Sequence, residues 1–370
     1  MKPVIVDAAR TPFGKREGWL SGIHAAELLG YAQRGILDRT GIDPELVEQA
    51  IGGCVTPIGE QFGNVTRTSW VHAGLPTATG TTTIDAQCGT AAQAVSLVAG
   101  QIAIGSLEVG MACGVELMSR VPLTYKVGKG LGTPRPESWS VTNPDQYTAA
   151  DRIAVRRGLG REDLDAFGLR SQQRAAAAWD AGVLDPQIIP VAGVTRDQGL
   201  RESSMEGLAK LKPVKEGGLH TAGTSSQVSD GASAALLMSE DRARDLGLRP
   251  KARLLNQCVM GGDLEYMLDA PIEAAAKVLA RAGMKIGDVD VFEVNEAFAS
   301  VPMSFAQVHG VDPDRLNPNG GAIAVGHPAG ATGIRLIATA LAELERRDAQ
   351  VAMVAICASA ATTCLLLERL

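Results

Sequence analysis

At 370 residues, with 45% hydrophobic but only 4% aromatic residues, the chain is long enough for two or three compact units with cores of Ala, Val, Leu and Ile. A net charge of −6, with no basic run beyond Arg156-Arg157 and Arg346-Arg347, excludes a general nucleic-acid footprint while leaving room for a local basic patch. Six scattered cysteines (Cys54, Cys88, Cys113, Cys258, Cys357, Cys364) without a CxxC pair argue against a disulfide scaffold and favour a reduced, cytoplasmic setting.

Met1-Lys2-Pro3 runs directly into VIVDAAR, so no signal or transit segment is expected. The first strand, over 4–9, is a continuous apolar run of the kind buried on both faces. A helix follows over 24–40, stopped by Gly41, then a strand over 50–55, a helix over 63–73 and a strand over 81–86. From 88 to 104 the sequence CGTAAQAVSLVAGQIAI is apolar on all sides, which predicts a helix with almost no solvent face. After a strand over 108–116 the character changes. Residues 119–216 carry more charge, Pro and Gly and include the amphipathic run REDLDAFGLRSQQRAAAAWDAG, as expected of an inserted subdomain.

A buried strand over 229–239 completes the first half, and Lys251 opens a second cycle with a similar order. It comprises a strand over 252–259, a helix over 271–283 with Asp269 as N-cap and Gly283 at its end, a strand over 289–295, a helix over 332–344 and a strand over 350–358. The uncharged stretch 351–367 contains Ser359, Thr362 and Thr363 and reads as strand, turn and strand, so no membrane span is expected. The pattern predicts an α/β protein built by internal duplication, with halves 1–118 (completed by 217–245) and 246–370 around the 119–216 insertion.

Cys88 follows a strand and opens a helix, where free backbone N–H groups and the helix dipole favour a thiolate. A cysteine among alanines is equally well a small buried hydrophobe. His327 lies on a turn in GGAIAVGHPAGATG, flanked by Gly326 and Pro328, which suits an aimed side chain able to move protons near neutral pH. Asn295, in NEAFA, is a candidate to hold a water or stabilise an oxyanion, or simply the cap of a helix starting at Glu296. Cys357 ends the last buried run and alone would pass for core.

Taken in order, DAARTPFGK, CGTAAQAV, TAGTSSQVSDGASAALLMSE, EVNEAFA, NPNGGAIAVGHPAGATG and a C-terminal Cys followed by small residues resemble the thiolase family of CoA-dependent acyltransferases, across 3–370. The resemblance implies duplicated βαβαβαββ halves stacked as a five-layered α-β-α-β-α core with an inserted loop domain. It also implies CoA as co-substrate, with no permanently bound cofactor or metal, and a homodimer or homotetramer.

By the same resemblance, Cys88 carries the acyl group as a thioester while a 3-ketoacyl-CoA is cleaved or formed. His327 takes its proton, and Cys357 exchanges the proton at the acetyl α-carbon. Asn295, through a water, and His327 form one oxyanion hole. The backbone N–H groups of Cys88 and Ser359 form the other. Ser226 falls where the family places a serine beside the pantetheine arm, and Arg201 where it places an arginine on the adenine side.

The sequence departs from the family after Cys357, where Ala358-Ser359-Ala360-Ala361 replaces a CxGGG run. If that turn needs positive φ, each non-glycine residue there adds strain on the order of 1 kcal/mol. Two other readings stay open on these residues. One is a thiolase-like CoA-binding protein with reduced or no turnover. The other is a ketoacyl-synthase-type condensing enzyme, against which the second cysteine stands.

Overall fold

The computed structural model describes residues 1–123 and 135–370. The first half contains β1 (Pro3–Arg10), β2 (Gly14–Lys15), α1 (Ala25–Thr40), β3 (Gln49–Gly53), α2 (Val65–His72), β4 (Gly80–Ile84), α3 (Thr90–Ala103) and β5 (Val109–Leu117). An excursion follows with α4 (Gln146–Arg156), α5 (Arg161–Asp180) and α6 (Met205–Ala209), before β6 (Ser229–Ser239) and α7 (Glu240–Asp245). The second half holds β7 (Ala252–Met260), α8 (Pro271–Ala282), β8 (Val291–Val294), α9 (Ser300–His309), α10 (Ala322–Val325), α11 (Thr332–Arg347), β9 (Val351–Ile356) and β10 (Thr362–Arg369). Of the 119–216 excursion expected from composition, 124–134 lie outside the described residues.

The strands run in the order β4-β3-β5-β6-β1-β7-β10-β9-β8, with β2 beside β6. Between the halves the ladder narrows to two residue pairs, Val4 with Arg253 and Ile5 with Ala252. Either side of this seam the half-sheets diverge and enclose α3 and α11. Val95, Val98, Ile334 and Ile337 from these two helices share one core with Ile51 and Leu237 from one half-sheet and Val354 and Leu365 from the other. That placement explains why α3 is apolar on most of its faces, although Leu97 and Ala103 stay exposed, so the helix keeps more solvent face than its sequence suggests. A second core joins Leu28, Leu29, Ile36 and Trp70 to Val109 and Met111, and a third joins Val278 and Phe305 to Phe292 and Leu366. The layers are therefore helix, sheet, helix, sheet, helix.

Small residues let the two central helices touch. A Cβ added at Gly333 of α11 would lie 2.3 Å from the Ala92 backbone nitrogen of α3, so the helix axes must part to admit any side chain. Gly333→Val is expected to lower stability by about 1–3 kcal/mol, the usual cost of overpacking. An unchanged denaturant midpoint would contradict the close approach.

Local signals explain most helix ends. His24 and Glu27 form a capping box at the start of α1, and Gly41 (φ 66°) closes it. Gly283 (φ 66°) ends α8 as expected, but Asp269 does not cap its start. The Asp269 carboxylate instead takes hydrogen bonds from Arg157 (2.8 Å) and Ser304 (2.6 Å), fastening α4 to α9, and α8 begins on Pro271 after Ala270. Strict duplication also fails at one point. The strand of the second half that would correspond to β4 is reduced to a single parallel bridge between Phe292 and Leu316.

The excursion packs over the second half. Gln172 of α5 donates to the Ile323 carbonyl (3.1 Å), and Ser171 donates to Glu296 (2.5 Å). Among the described residues no helix is long and apolar enough to cross a membrane.

Candidate active site

Cys88 does not open α3 directly. It is the middle residue of a 3-10 turn, Gln87–Gly89, one step ahead of the helix. The turn is tied at three points: Ala86 N–H donates to Thr90 Oγ1 (2.8 Å), that hydroxyl donates to the Gln87 carbonyl (2.5 Å), and Gln87 N–H donates to Asp85 (2.7 Å). Gln87 itself adopts φ 53°, a left-handed conformation uncommon outside glycine. The expected preference for thiolate is not what the environment gives. Burial pushes the Cys88 thiol up to about 12, its own backbone N–H opposes this only in part, and the charges of Glu116 and Asp85 add to the rise. The resting group is a thiol.

His327 sits between α10 and α11. Gly326 reaches φ 106°, and a Cβ there would lie 2.3 Å from Ser229 Oγ, so only glycine brings the chain this close to β6. The His327 N–H is directed at the Gln227 carbonyl and Ser229 Oγ, each 3.3 Å away. The ring Nδ1 is 2.7 Å from Thr332 Oγ1. That hydroxyl spends its one hydrogen on the Pro328 carbonyl (2.8 Å), so it accepts from Nδ1–H, and Nε2 is left as the bare nitrogen. Burial, with a smaller contribution from the Arg335 charge, brings His327 down to about 3. The imidazole is neutral and its lone pair is on Nε2, where only the long contact from Asn295 Nδ2 (3.5 Å) meets it, the arrangement of a base.

With the Cys88 thiol at about 12 and the His327 imidazole at about 3, both groups are uncharged near pH 7 and no ion-pair step is expected there. Alkylation of Cys88 by iodoacetamide is therefore expected to rise about tenfold per pH unit from pH 6 to 9, following the scarce thiolate. A plateau beginning near neutrality would contradict this environment.

Asn295 follows β8 and is fully buried. Its backbone N–H bonds the Ala355 carbonyl of β9 (2.9 Å), its Nδ2 is 3.5 Å from His327 Nε2, and its Oδ1 has no partner. No helix starts at Glu296, so Asn295 is not a helix cap; the next helix, α9, begins at Ser300. The buried Glu296 carboxylate accepts from Ser171, from Asn317 (2.9 Å) and from Ile323 N–H (3.3 Å), which holds the segment leading to His327 against the end of β8.

Cys357 follows β9, fully buried among Met267, Phe298 and Ala150. Burial raises its thiol well above the usual range, and a thiolate at Cys88 would raise it further, which places the two sulfurs in one electrostatic neighbourhood. The following turn folds against the Cys88 turn: a Cβ at Gly89 would lie 2.4 Å from the Ala361 carbonyl oxygen. Ser359, Ala360 and Ala361 all lie outside the positive-φ region. The strain expected from replacing glycines is absent there, and the left-handed residue is Gln87 on the facing turn. Neither Cys88 nor Ser359 spends its backbone N–H on a protein acceptor among the described residues.

Ser226 N–H bonds the Ala297 carbonyl (2.9 Å), two residues beyond Asn295, and is half-buried. Arg201 is exposed and its guanidinium reaches the Ala222 carbonyl (3.3 Å) on the same loop as Ser226. The two residues thus border one loop system beside the NEAFA segment. Among the described residues no group of three or more His, Cys, Asp or Glu is arranged to hold a metal ion. Two contributors escaped the sequence reading: Thr332, which sets the histidine tautomer, and Gln87. Thr332 falls five residues after His327, a spacing that carries no general signal.

The duplicated α/β core thus carries two buried thiols, a neutral histidine and a buried asparagine on segments drawn from both of its halves. The model of the thiolase N-terminal domain matches residues 3–241 and that of the thiolase C-terminal domain residues 248–369. The chain belongs to the thiolase family. It is 43% identical to a steroid 3-ketoacyl-CoA thiolase of Mycobacterium tuberculosis, over 99% of this chain and 94% of that protein. An acetyl-CoA acetyltransferase of Chromobacterium violaceum is 38% identical over 96% of each chain. The crystal structure of the Bacillus anthracis acetyl-CoA acetyltransferase superposes with a TM-score of 0.92 at 30% identity, covering 100% of this chain and 99% of that one. The protein is accordingly an acyltransferase acting on CoA thioesters.

Proposed function

We propose that this thiolase works in the degradative direction, cleaving a 3-ketoacyl-CoA with a bulky, ring-derived acyl chain through a Cys88 thioester. The observation that carries the residue roles is the fixed tautomer of His327, whose bare Nε2 faces the Asn295 side chain.

Cys88 Sγ attacks the 3-keto carbon as its proton passes to His327 Nε2, and the oxyanion is held by the backbone N–H groups of Cys88 and Ser359. The C2–C3 bond then breaks and its electron pair becomes the enolate of acetyl-CoA. The thioester oxygen of that enolate is stabilised by His327 and by a water on the unpartnered Asn295 Oδ1 side. Cys357 gives its proton to C2, and acetyl-CoA leaves. In the second half, free CoA thiol gives its proton to the Cys357 thiolate and attacks the thioester. Cys88 departs with the proton held on His327, and the site is restored. Ser226 lies along the pantetheine arm and Arg201 near the adenine end. The working protein is a homodimer or homotetramer.

The direction and the bulky acyl group are supported by the likeness to the mycobacterial enzyme named for steroid substrates. Steady-state release of acetyl-CoA across acetoacetyl-CoA, linear 3-ketoacyl-CoAs and ring-bearing 3-ketoacyl-CoAs tests both. The highest kcat/KM is expected on the ring-bearing substrates. A preference for acetoacetyl-CoA would overturn the substrate assignment, and no turnover on any of them would overturn the catalytic one.

A further inference from the structure

We propose that Gln87 is a positioning residue whose side chain locks together the two turns that supply the acyl-enzyme oxyanion hole. This rests on the reading of Cys88 as nucleophile and of Ser359 as the second backbone donor. Gln87 Oε1 accepts from the Ser359 hydroxyl and from the Ala360 backbone N–H, the latter at 3.0 Å. A backbone N–H can only donate, so the atom facing it is the amide oxygen and the orientation of the side chain is fixed. Ser359 and Ala360 have no other hydrogen-bond partner among the described residues. Among the described residues, the chain between Cys357 and Thr362 is otherwise hydrogen-bonded only by Ala358 with Thr362 and by Thr363 with the Ala361 carbonyl, neither of which holds residue 359.

The position of Gln87 in the chain gives the contact its consequence. Its backbone immediately precedes Cys88, so one residue orients the first donor through its main chain and the second through its side chain. The φ of 53° at Gln87 is the one left-handed non-glycine conformation on either turn. Such a residue persists where its surroundings hold it, and here the backbone bonds to Asp85 and Thr90 act together with the side-chain bonds to Ser359 and Ala360. With Ser-Ala-Ala in place of glycines, the second turn is shaped by this cross-link and not by its own backbone freedom.

The test compares two half-reactions in Gln87→Met, which keeps length but has no acceptor, and in Gln87→Gly. The glycine variant suits the positive φ, so any loss it shows comes from the side chain and not from backbone misfit. Misplacement of one oxyanion donor predicts a fall of about 10–100-fold in the rate of Cys88 acylation, below the ~10²–10³ for outright loss of a donor. KM and the Cys357-dependent exchange of the acetyl-CoA α-proton with D2O should remain within about twofold of the parent enzyme in the same variants. Ser359→Ala should slow acylation in the parent enzyme and add nothing further in Gln87→Met. Acylation unchanged in Gln87→Gly, or acylation and exchange slowed equally, would overturn the lock. The reading beneath it fails separately: a parent enzyme that carries no acyl group on Cys88 removes the nucleophile itself, whereas a normal Cys88 adduct with an indifferent Gln87 removes only the lock.

Discussion

Cys88→Ala is expected to lower turnover by on the order of 10⁴-fold or more, because the covalent intermediate disappears and no neighbouring group can replace it. Cys357 is an alternative sulfur in the same electrostatic neighbourhood, and burial among Met267, Phe298 and Ala150 keeps it a thiol. The measured quantity is kcat for thiolysis, with binding of CoA as the control for an intact site. A loss smaller than about tenfold would mean that another group carries the acyl chain. The same chemistry makes the histidine tautomer matter: with the Cys88 thiol near 12, a productive encounter depends on a base already holding a free lone pair. Thr332→Val removes the acceptor that fixes Nδ1–H and should lower kcat toward the ~10²–10⁴-fold limit expected for loss of a general base.

Cys357→Ala is expected to separate the two halves of the reaction. Exchange of the acetyl-CoA α-proton should fall by about 10²–10⁴-fold, the usual contribution of a positioned acid or base, while transfer of an acyl group onto Cys88 from a simple acyl-CoA stays within an order of magnitude. Exchange followed in D2O by mass spectrometry reads the first, and stoichiometric thioester formation reads the second. An unchanged exchange rate would assign the proton to another group. Alanine at a site packed among Met267 and Phe298 leaves only a small void, so folding should survive it.

Much of the architecture was legible in the sequence because burial is written in periodicity. The continuous apolar runs of β1 and β9 read as strands with both faces covered, and the largely apolar α3 reads as a helix inside a stack, with Leu97 and Ala103 its exposed exceptions. Gly41 and Gly283 marked helix ends because both require positive φ. Asp269 was misleading for a tertiary reason: its carboxylate is taken by Arg157 and Ser304, partners distant in sequence. The C-terminal counterpart of the β4 strand is likewise only a bridge, between Phe292 and Leu316, which no local pattern announces.

The site divides along the same line. Cys88, Asn295, His327 and Cys357 were recognisable as residue types in ordered motifs, and the fold brings Asn295 and His327 to 3.5 Å. Their electrostatics were not recognisable. The helix dipole suggested a thiolate at Cys88, but desolvation depends on what covers the sulfur and outweighs the local amides. The replaced glycines suggested strain at 359–361, yet the unusual backbone conformation is found at Gln87, 272 residues away in sequence and across one hydrogen bond in space.

Intact-protein and peptide mass spectrometry, after mixing the enzyme with a 3-ketoacyl-CoA in the absence of free CoA, tests directly whether Cys88 carries the acyl group. The predicted result is one acyl group per chain on the peptide containing Cys88, removed when CoA is added. An acyl group on the Cys357 peptide, or turnover with no covalent adduct, would contradict the assignment of Cys88 as the acyl carrier.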